Sequence, residues 1–447
     1  MREGWMLTLG LLFLTMACAA MGDMPKLQII GDWKVYVPPG RMKIGVKEVQ
    51  ITRSATLTIS PPTRMEVRDE KYDSLPLFDP KAAPWIQGAR LRQLITFETT
   101  APDMLLPETL VLKSGPGDAI RYTLNKDYGL EARWATFGRQ PDGRIGEGQP
   151  VWADYVCEWH RIDSIVADRR GEVSLRAGKP HNATPLPPDI ATQEMRLANI
   201  WVPGRLPKLT EENLYPILET DFPKSRRAGA PPASRLLPRT WAKLHSGEPL
   251  HILAWGDSVT AGGQASSVER RYQNRFFAHL QQAFPNATLR LTTAGWGGRN
   301  SDSFLKEPPG AEFNFERAVI QPRPDLIVME FVNDAWMTPE IVEEKYSYLQ
   351  KRFEEIGAEW IILTPHFVRP DWMNARSLRI VEDPRPYVAG LRQFAAKHNV
   401  ALADASLRWG RLLNQGIPYI TLLSNSINHP DDRGHDLFAL ALMDLFR

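Results

Sequence analysis

From about residue 236 onward, apolar strand-like runs alternate with helical segments. This alternation is the strongest constraint the sequence places on its fold. The strand runs are Leu250–Ala254, Thr288–Thr292, Leu326–Glu330, Trp360–Leu363 and Val400–Ala403. The segments with helical spacing are Arg270–Ala283, Glu340–Ile356, Tyr387–Lys397 and His435–Leu445. Strands joined through helices run parallel, and a parallel sheet is buried by helices on both faces. The expectation is a three-layer α/β/α domain over residues 236–447.

The preceding half has a different texture. Leu27 to about Thr220 carries short alternating or β-branched runs, among them Trp33–Val37, Ala55–Ile59, Leu94–Glu98 and Glu172–Arg176. Clusters such as Ser114-Gly115-Pro116-Gly117-Asp118 punctuate them, which predicts an all-β, β-sandwich-like domain over 27–222. Residues 223–235 include KSRRAGAPPAS, basic and then small and Pro-rich, as an exposed linker would be.

Composition excludes some functions. With 43% hydrophobic and 24% charged residues the chain has ample core material and is not a disordered tail. Its 54 Lys and Arg balance 52 Asp and Glu, so charge gives no reason to expect a nucleic-acid partner. The two cysteines, Cys18 and Cys157, cannot build a disulfide framework or a multi-thiolate zinc site. No metal and no cofactor is expected.

The N-terminus reads as an export signal over residues 1–22. Met6–Ala17 is an apolar run, too short to span a bilayer comfortably, followed by small residues. The protein is expected to be periplasmic, extracellular or lipid-anchored at the cell surface. Leu14-Thr15-Met16-Ala17-Cys18 loosely resembles a bacterial lipoprotein signal, in which Cys18 would carry the lipid anchor. The alternative is ordinary cleavage that discards Cys18. Cys157 is expected to be a buried apolar residue.

Two segments carry chemistry. The first strand of the C-terminal region runs into Gly256-Asp257-Ser258-Val259-Thr260-Ala261-Gly262-Gly263. Ligands of open α/β sheets bind beyond the carboxyl ends of the strands, which is where Ser258 falls. Near the other end, Asn428-His429-Pro430-Asp431 precedes the last helix. A serine hydroxyl needs a base, and imidazole titrates near neutrality. His435 is read as a solvated or helix-capping side chain, Asp257 as a brace of the serine turn, and Asp431 and Asp432 as first-turn residues of the last helix. His366, after the fourth strand, is a candidate for lining the cleft.

Ser258 in GDSVTAGG and His429 in NHPDDRGH resemble the first and last motif blocks of the SGNH/GDSL hydrolases. Thr293-Ala294-Gly295-Trp296-Gly297-Gly298 resembles the family's glycine block, and Phe331-Val332-Asn333-Asp334 its G-x-N-D block. The resemblance covers roughly residues 236–447 and implies a flavodoxin-like α/β/α hydrolase domain. It also implies Ser258 as nucleophile, His429 as general base, and an oxyanion hole from Ser258 N–H, Gly298 N–H and the Asn333 amide. Gly295 and Gly297 are fallback choices for the glycine donor. The expected partner is an acyl-ester substrate, a small molecule or a polysaccharide.

Three positions depart from the family pattern. The residue three before His429, usually Asp, is Ser426, and Asn425 precedes it. Either could accept a ring N–H bond without offering a charge. The alternatives are a Ser–His dyad or recruitment of another carboxylate such as Asp404 or Asp431. Phe331 replaces a glycine and could reshape the pocket; Thr293 replaces an Asn. The expected function is an exported serine esterase releasing O-acyl groups, acetyl above all, from a carbohydrate. A non-catalytic glycan binder and an O-acyltransferase are the alternatives. The chain's 14 Trp, six of them Trp33, Trp85, Trp134, Trp152, Trp159 and Trp201, are expected mainly in cores, with sugar stacking as the other possibility.

Overall fold

The computed structural model describes residues 26–223 and 229–447. The expected export signal, Cys18 and residues 224–228 of the expected linker lie outside the described residues. No helix among the described residues is long and apolar enough to cross a membrane.

The C-terminal half is a five-stranded parallel sheet. In chain order its strands are β1 (Pro249–Gly256), β2 (Thr288–Gly295), β3 (Leu326–Glu330), β4 (Glu359–Leu363) and β5 (Ala401–Ala403). Their spatial order is β2-β1-β3-β4-β5. This is the flavodoxin-like doubly wound order, with the direction of winding reversing between β1 and β3. The longer helices are α1 (Tyr272–Ala283), α2 (Pro339–Glu355), α3 (Pro386–His398) and α4 (Asp432–Met443).

Strand alternation divides the core in two. Leu250, Ile252, Leu326 and Val328 face one side, packed with Phe276 and Leu280 of α1 and Phe438 and Leu442 of α4. Leu253, Trp255, Ile327 and Met329 face the other, packed with Val342, Tyr346, Leu349 and Phe353 of α2 and with Leu391 and Phe394 of α3. The α2 residues recur at three- and four-residue steps, which keeps them on one helix face. Trp255 is fully buried, and the rings of Phe304 and Phe331 meet it edge to face. Phe331 therefore points into this core, and the pocket is not where its ring goes. The departure from glycine is absorbed by packing.

The N-terminal half is antiparallel and strand-rich, its described residues forming five small sheets of two to four strands. Its long strands are Thr63–Tyr72 paired with Val151–Trp159, and Arg161–Ala167 paired with Met195–Val202. Its apolar residues form two main clusters, one around Val35, Ile51, Ile165 and Ile200, the other around Leu91, Leu105, Tyr155 and Phe137. Cys157 is fully buried in the second, and burial pushes its thiol up to about 11. The run Leu94–Glu98 does not form the strand expected of it. Arg92–Leu94 is a 3-10 turn, and the chain then doubles back, with Ala101 N–H donating to the Leu94 carbonyl. Of the six tryptophans named above, Trp134 and Trp201 are buried and the rest are half-buried.

The halves are joined by specific contacts. Asn199, buried in the N-terminal half, donates to the Gly416 carbonyl at 2.8 Å. Arg369 lies over the rings of Trp85, Trp134 and Trp372, at 5.1–5.9 Å from their centroids. Desolvated cation–ring contacts of this kind contribute about 0.5–2 kcal/mol each.

Gly256 ends β1, and a Cβ there would sit 2.2 Å from the Glu330 carbonyl oxygen on β3. Gly256→Ala is therefore expected to lower stability by about 1–3 kcal/mol, the usual cost of overpacking, measured by denaturant unfolding.

Candidate active site

The site stands at the carboxyl ends of β1, β2 and β3, where the winding reverses. β1 stops at Gly256 and Ser258 follows in a tight turn. Ala261 N–H donates to the Asp257 carbonyl at 2.9 Å and Gly263 N–H to the Ser258 carbonyl at 2.8 Å. The buried Asp257 side chain braces two segments at once. Its Oδ1 accepts from Val259 N–H and its Oδ2 from Asn333 N–H, both at 3.0 Å. This ties the serine turn to the segment after β3.

His429 Nε2 lies 2.8 Å from Ser258 Oγ. Both residues are buried at the floor of the site. A serine hydroxyl donating to Nε2 leaves the ring proton on Nδ1. The group facing Nδ1 is the carboxylate of Glu98, whose Oε2 is 2.9 Å away. Gln264 Nε2 is more distant, at 3.5 Å. The hydrogen bond from His429 holds the Glu98 carboxyl below its usual range, against a smaller opposing effect of burial.

The residues expected to orient His429 do other work. Asn425 Oδ1 accepts the backbone N–H groups of Ile427, Asn428 and His429, at 3.0, 2.9 and 3.0 Å. Its Nδ2 donates to Asn428 Oδ1 at 3.1 Å and to Glu98 Oε2 at 3.4 Å. Ser426 takes a left-handed backbone, φ 56°, inside the loop so formed. Neither meets the His429 ring. A single amide oxygen serving three N–H groups has no capacity left for a ring nitrogen. Asp404 is bound to Arg392 and caps the helix that follows it, and Asp431 caps α4 and pairs with Arg433. Neither is recruited.

The three groups expected to form the oxyanion hole follow β1, β2 and β3 at this edge of the sheet. Among the described residues, no protein acceptor takes the N–H of Ser258 or of Gly298. Gly298 has φ 69° and open space where a Cβ would stand, so the turn can present its N–H outward. Gly295 has a different part: a Cβ there would lie 2.3 Å from Ala261 N, so close packing of the two turns requires glycine. Gly297 is in the open. Asn333 Nδ2 donates to the Arg299 carbonyl at 2.9 Å, which fixes the amide and leaves its second N–H to donate.

His366 does not line the cleft. It is fully buried, its Nε2 donates to the Asn428 carbonyl at 2.6 Å, and burial drives its pKa well below the usual histidine range. It supports the His429 loop from beneath. His435 is not the solvated or capping side chain expected of it: it is fully buried under α1, accepting from Tyr272 N–H at 3.3 Å, with its pKa lowered by burial to about 4.

Three carboxyls lie buried below the site. Burial raises Asp334 to about 7, and raises Glu330 well above the carboxylate range with Asp257 adding repulsion. Among the described residues no cluster of three or more His, Cys, Asp or Glu could hold a metal ion. Beside Gln264, a cleft of about 750 Å³ opens between the two halves. The Pro185-Leu186-Pro187-Pro188 strap forms one wall and Ser266, Asp432 and Arg433 another, with Lys179 and His181 also facing in.

Residues 254–437 match the model of the GDSL-like Lipase/Acylhydrolase family. No curated protein matches the chain. Among solved structures, a two-domain esterase active on acetylated mannans matches with 19% identity and a TM-score of 0.39, over 47% of this chain and 52% of that one. This chain thus spans about half the length of that esterase. An acetylxylan esterase from Geobacillus stearothermophilus matches with 19% identity and a TM-score of 0.34, over 43% of this chain and 92% of the other. A hydrolase from the metagenome of Lake Arreo, Spain, matches with 24% identity and a TM-score of 0.35, over 44% of this chain and 94% of the other.

Asn425→Ala strands three loop N–H groups and should cost about 1–3 kcal/mol or more, read by denaturant unfolding. Asp334 gives a pH signature. Its folded pKa lies above the unfolded value, so its contribution is fully present below about pH 4 and is lost as pH rises towards about 7. Relative to wild type, Asp334→Asn should therefore gain stability steadily from pH 4 to pH 7. Denaturant melts across that range check it, and a constant difference would contradict it.

Proposed function

We propose that this protein, whose residues 254–437 form a GDSL-like lipase/acylhydrolase domain, is an exported serine esterase that removes acyl groups, most simply acetyl, from a carbohydrate. The observation that carries the reading is the 2.8 Å contact between Ser258 Oγ and His429 Nε2, beside donors free to receive an oxyanion.

In this reading Ser258 Oγ attacks the ester carbonyl while His429 Nε2 takes the hydroxyl proton. The carbonyl oxygen becomes negative and is met by the N–H groups of Ser258 and Gly298 and by the Asn333 amide. Collapse of the tetrahedral intermediate expels the sugar alkoxide, which takes the proton from His429. Water then repeats the sequence on the acyl-enzyme, activated by the same Nε2, and releases the carboxylic acid and free Ser258.

The carbohydrate assignment is supported by the cleft beside Gln264. Its Pro185–Pro188 wall is apolar while Lys179, Asp432 and Arg433 offer polar groups to hydroxyls, and its open form differs from the closed tunnel that a long acyl chain would favour. Export rests on the apolar N-terminal run, and whether Cys18 anchors the chain follows from which cleavage occurs. The absence of an Asp before His429, which favoured a non-catalytic binder, loses its force with a carboxylate at Nδ1.

Acetate release from acetylated xylan or mannan, and nitrophenol release from its acetate, should fall on the order of 10⁴-fold or more in Ser258→Ala and His429→Ala. Asn333→Ala should lose ~10²–10³ in turnover. A fluorophosphonate should label wild type at Ser258 and leave Ser258→Ala unlabelled. Equal ester hydrolysis by wild type and Ser258→Ala would overturn the reading.

A further inference from the structure

We propose that Glu98, a residue of the N-terminal domain, is the group that positions His429, so that one catalytic apparatus is assembled from both domains. This rests on the Ser258–His429 reading above and adds to it the source of the missing carboxylate.

The geometry is specific. Ser258 occupies Nε2, so catalysis requires the ring proton on Nδ1, and a carboxylate at Nδ1 enforces that tautomer. Within the C-terminal domain the nearby candidates are already committed. Asn425 Oδ1 is saturated by backbone donors, and Asp404 and Asp431 are engaged by arginines and helix termini. Among the described residues, Glu98 is the carboxylate within hydrogen-bond distance of the ring.

Glu98 is delivered by a fixed turn. Thr96 N–H donates to the Thr99 carbonyl at 3.0 Å, and the two threonine hydroxyls meet at 2.9 Å. Thr99, buried, reaches across the domain boundary and donates its hydroxyl to the Asn425 carbonyl at 2.7 Å. Thr100, also buried, bonds the Trp134 carbonyl on the other side of the turn. The carboxylate then takes the Asn425 amide as a second donor. Turn and loop are thus matched at three points: Glu98 to His429, Glu98 to Asn425, and Thr99 to Asn425.

Glu98 is about half exposed, at 49% of its side chain, whereas His429 is at 9%. Solvent screens an exposed charge, so Glu98 acts more through orientation than through a strong field. The loss on removing it should be no larger than the ~10⁴ seen when the orienting carboxylate of a chymotrypsin-type enzyme is made an amide.

The test uses the full chain carrying Glu98→Gln, Glu98→Ala or Ser258→Ala, with nitrophenyl acetate as substrate. Glu98→Gln and Glu98→Ala should lower kcat by ~10²–10⁴ with KM changed less than a few-fold, and should slow fluorophosphonate labelling of Ser258 in step. Added formate should restore part of the activity of Glu98→Ala, where it can enter the space left by the carboxylate. It should not restore Glu98→Gln, where the amide fills that space. A purely structural role would leave formate without effect on either variant. Wild-type kcat in Glu98→Gln, or Glu98→Ala unresponsive to formate, overturns the proposal. If Ser258→Ala is inactive in that case, only the role of Glu98 fails; if Ser258→Ala is as active as wild type, the esterase reading fails with it.

Discussion

The site depends on the buried side chain of Asn425. Its amide oxygen gathers three successive N–H groups, which forces the segment before α4 into a closed loop with His429 at its end. The loop carbonyls are then satisfied from all sides. Thr99 Oγ1 serves Asn425, Arg369 N–H serves Ile427, His366 serves Asn428, and Ser424 N–H serves His429. Buried polar groups are costly when unpaired, so a loop with this much backbone inside the protein has few alternative conformations. That rigidity keeps Nε2 within hydrogen-bond reach of Ser258. It also explains why a residue of the right polarity at this position is not the one that touches the imidazole.

Beneath the loop, the serine turn is held with equal firmness. Asp257 links it to the segment after β3, and Gly256 lets β1 approach the Glu330 carbonyl where a side chain would collide. Asp257, Glu330 and Asp334 crowd three carboxyls into an apolar region. Burial favours their neutral forms, and the backbone donors to Asp257 counteract this for that group. The strain of burying acid groups is concentrated under the site, while the two faces of the sheet are packed with aromatic and aliphatic side chains.

Much of the C-terminal domain was legible. All five strands lie where apolar runs marked them, and the four longer helices follow the helical spacing, because each buries a continuous stripe against the sheet. The motif blocks could be found for the same reason: a parallel sheet collects its strand ends on one edge. The N-terminal half was legible only as strand-rich. Short antiparallel strands can be shared among sheets in many ways, and the sequence pattern does not say which. Leu94–Glu98 shows the limit. Its alternation reads as a strand, yet hydrogen bonds from Thr96, Thr99 and Ala101 bend it into a turn.

The sequence by itself determined the order of the elements, the alternation that splits the core, and the residues able to act as nucleophile, base and oxyanion donors. The first two follow from local spacing; the site residues follow from the resemblance of four motif blocks to those of the SGNH/GDSL hydrolases. It could not determine which carboxylate faces His429. Glu98 and Asn425 are 327 positions apart, and no local pattern joins them. Their meeting requires the Thr96–Thr99 turn to seat on the Asn425 loop, and that docking is a property of two folded surfaces. Tertiary structure made that choice, because a hydrogen bond depends on where atoms stand in space, whatever their separation along the chain.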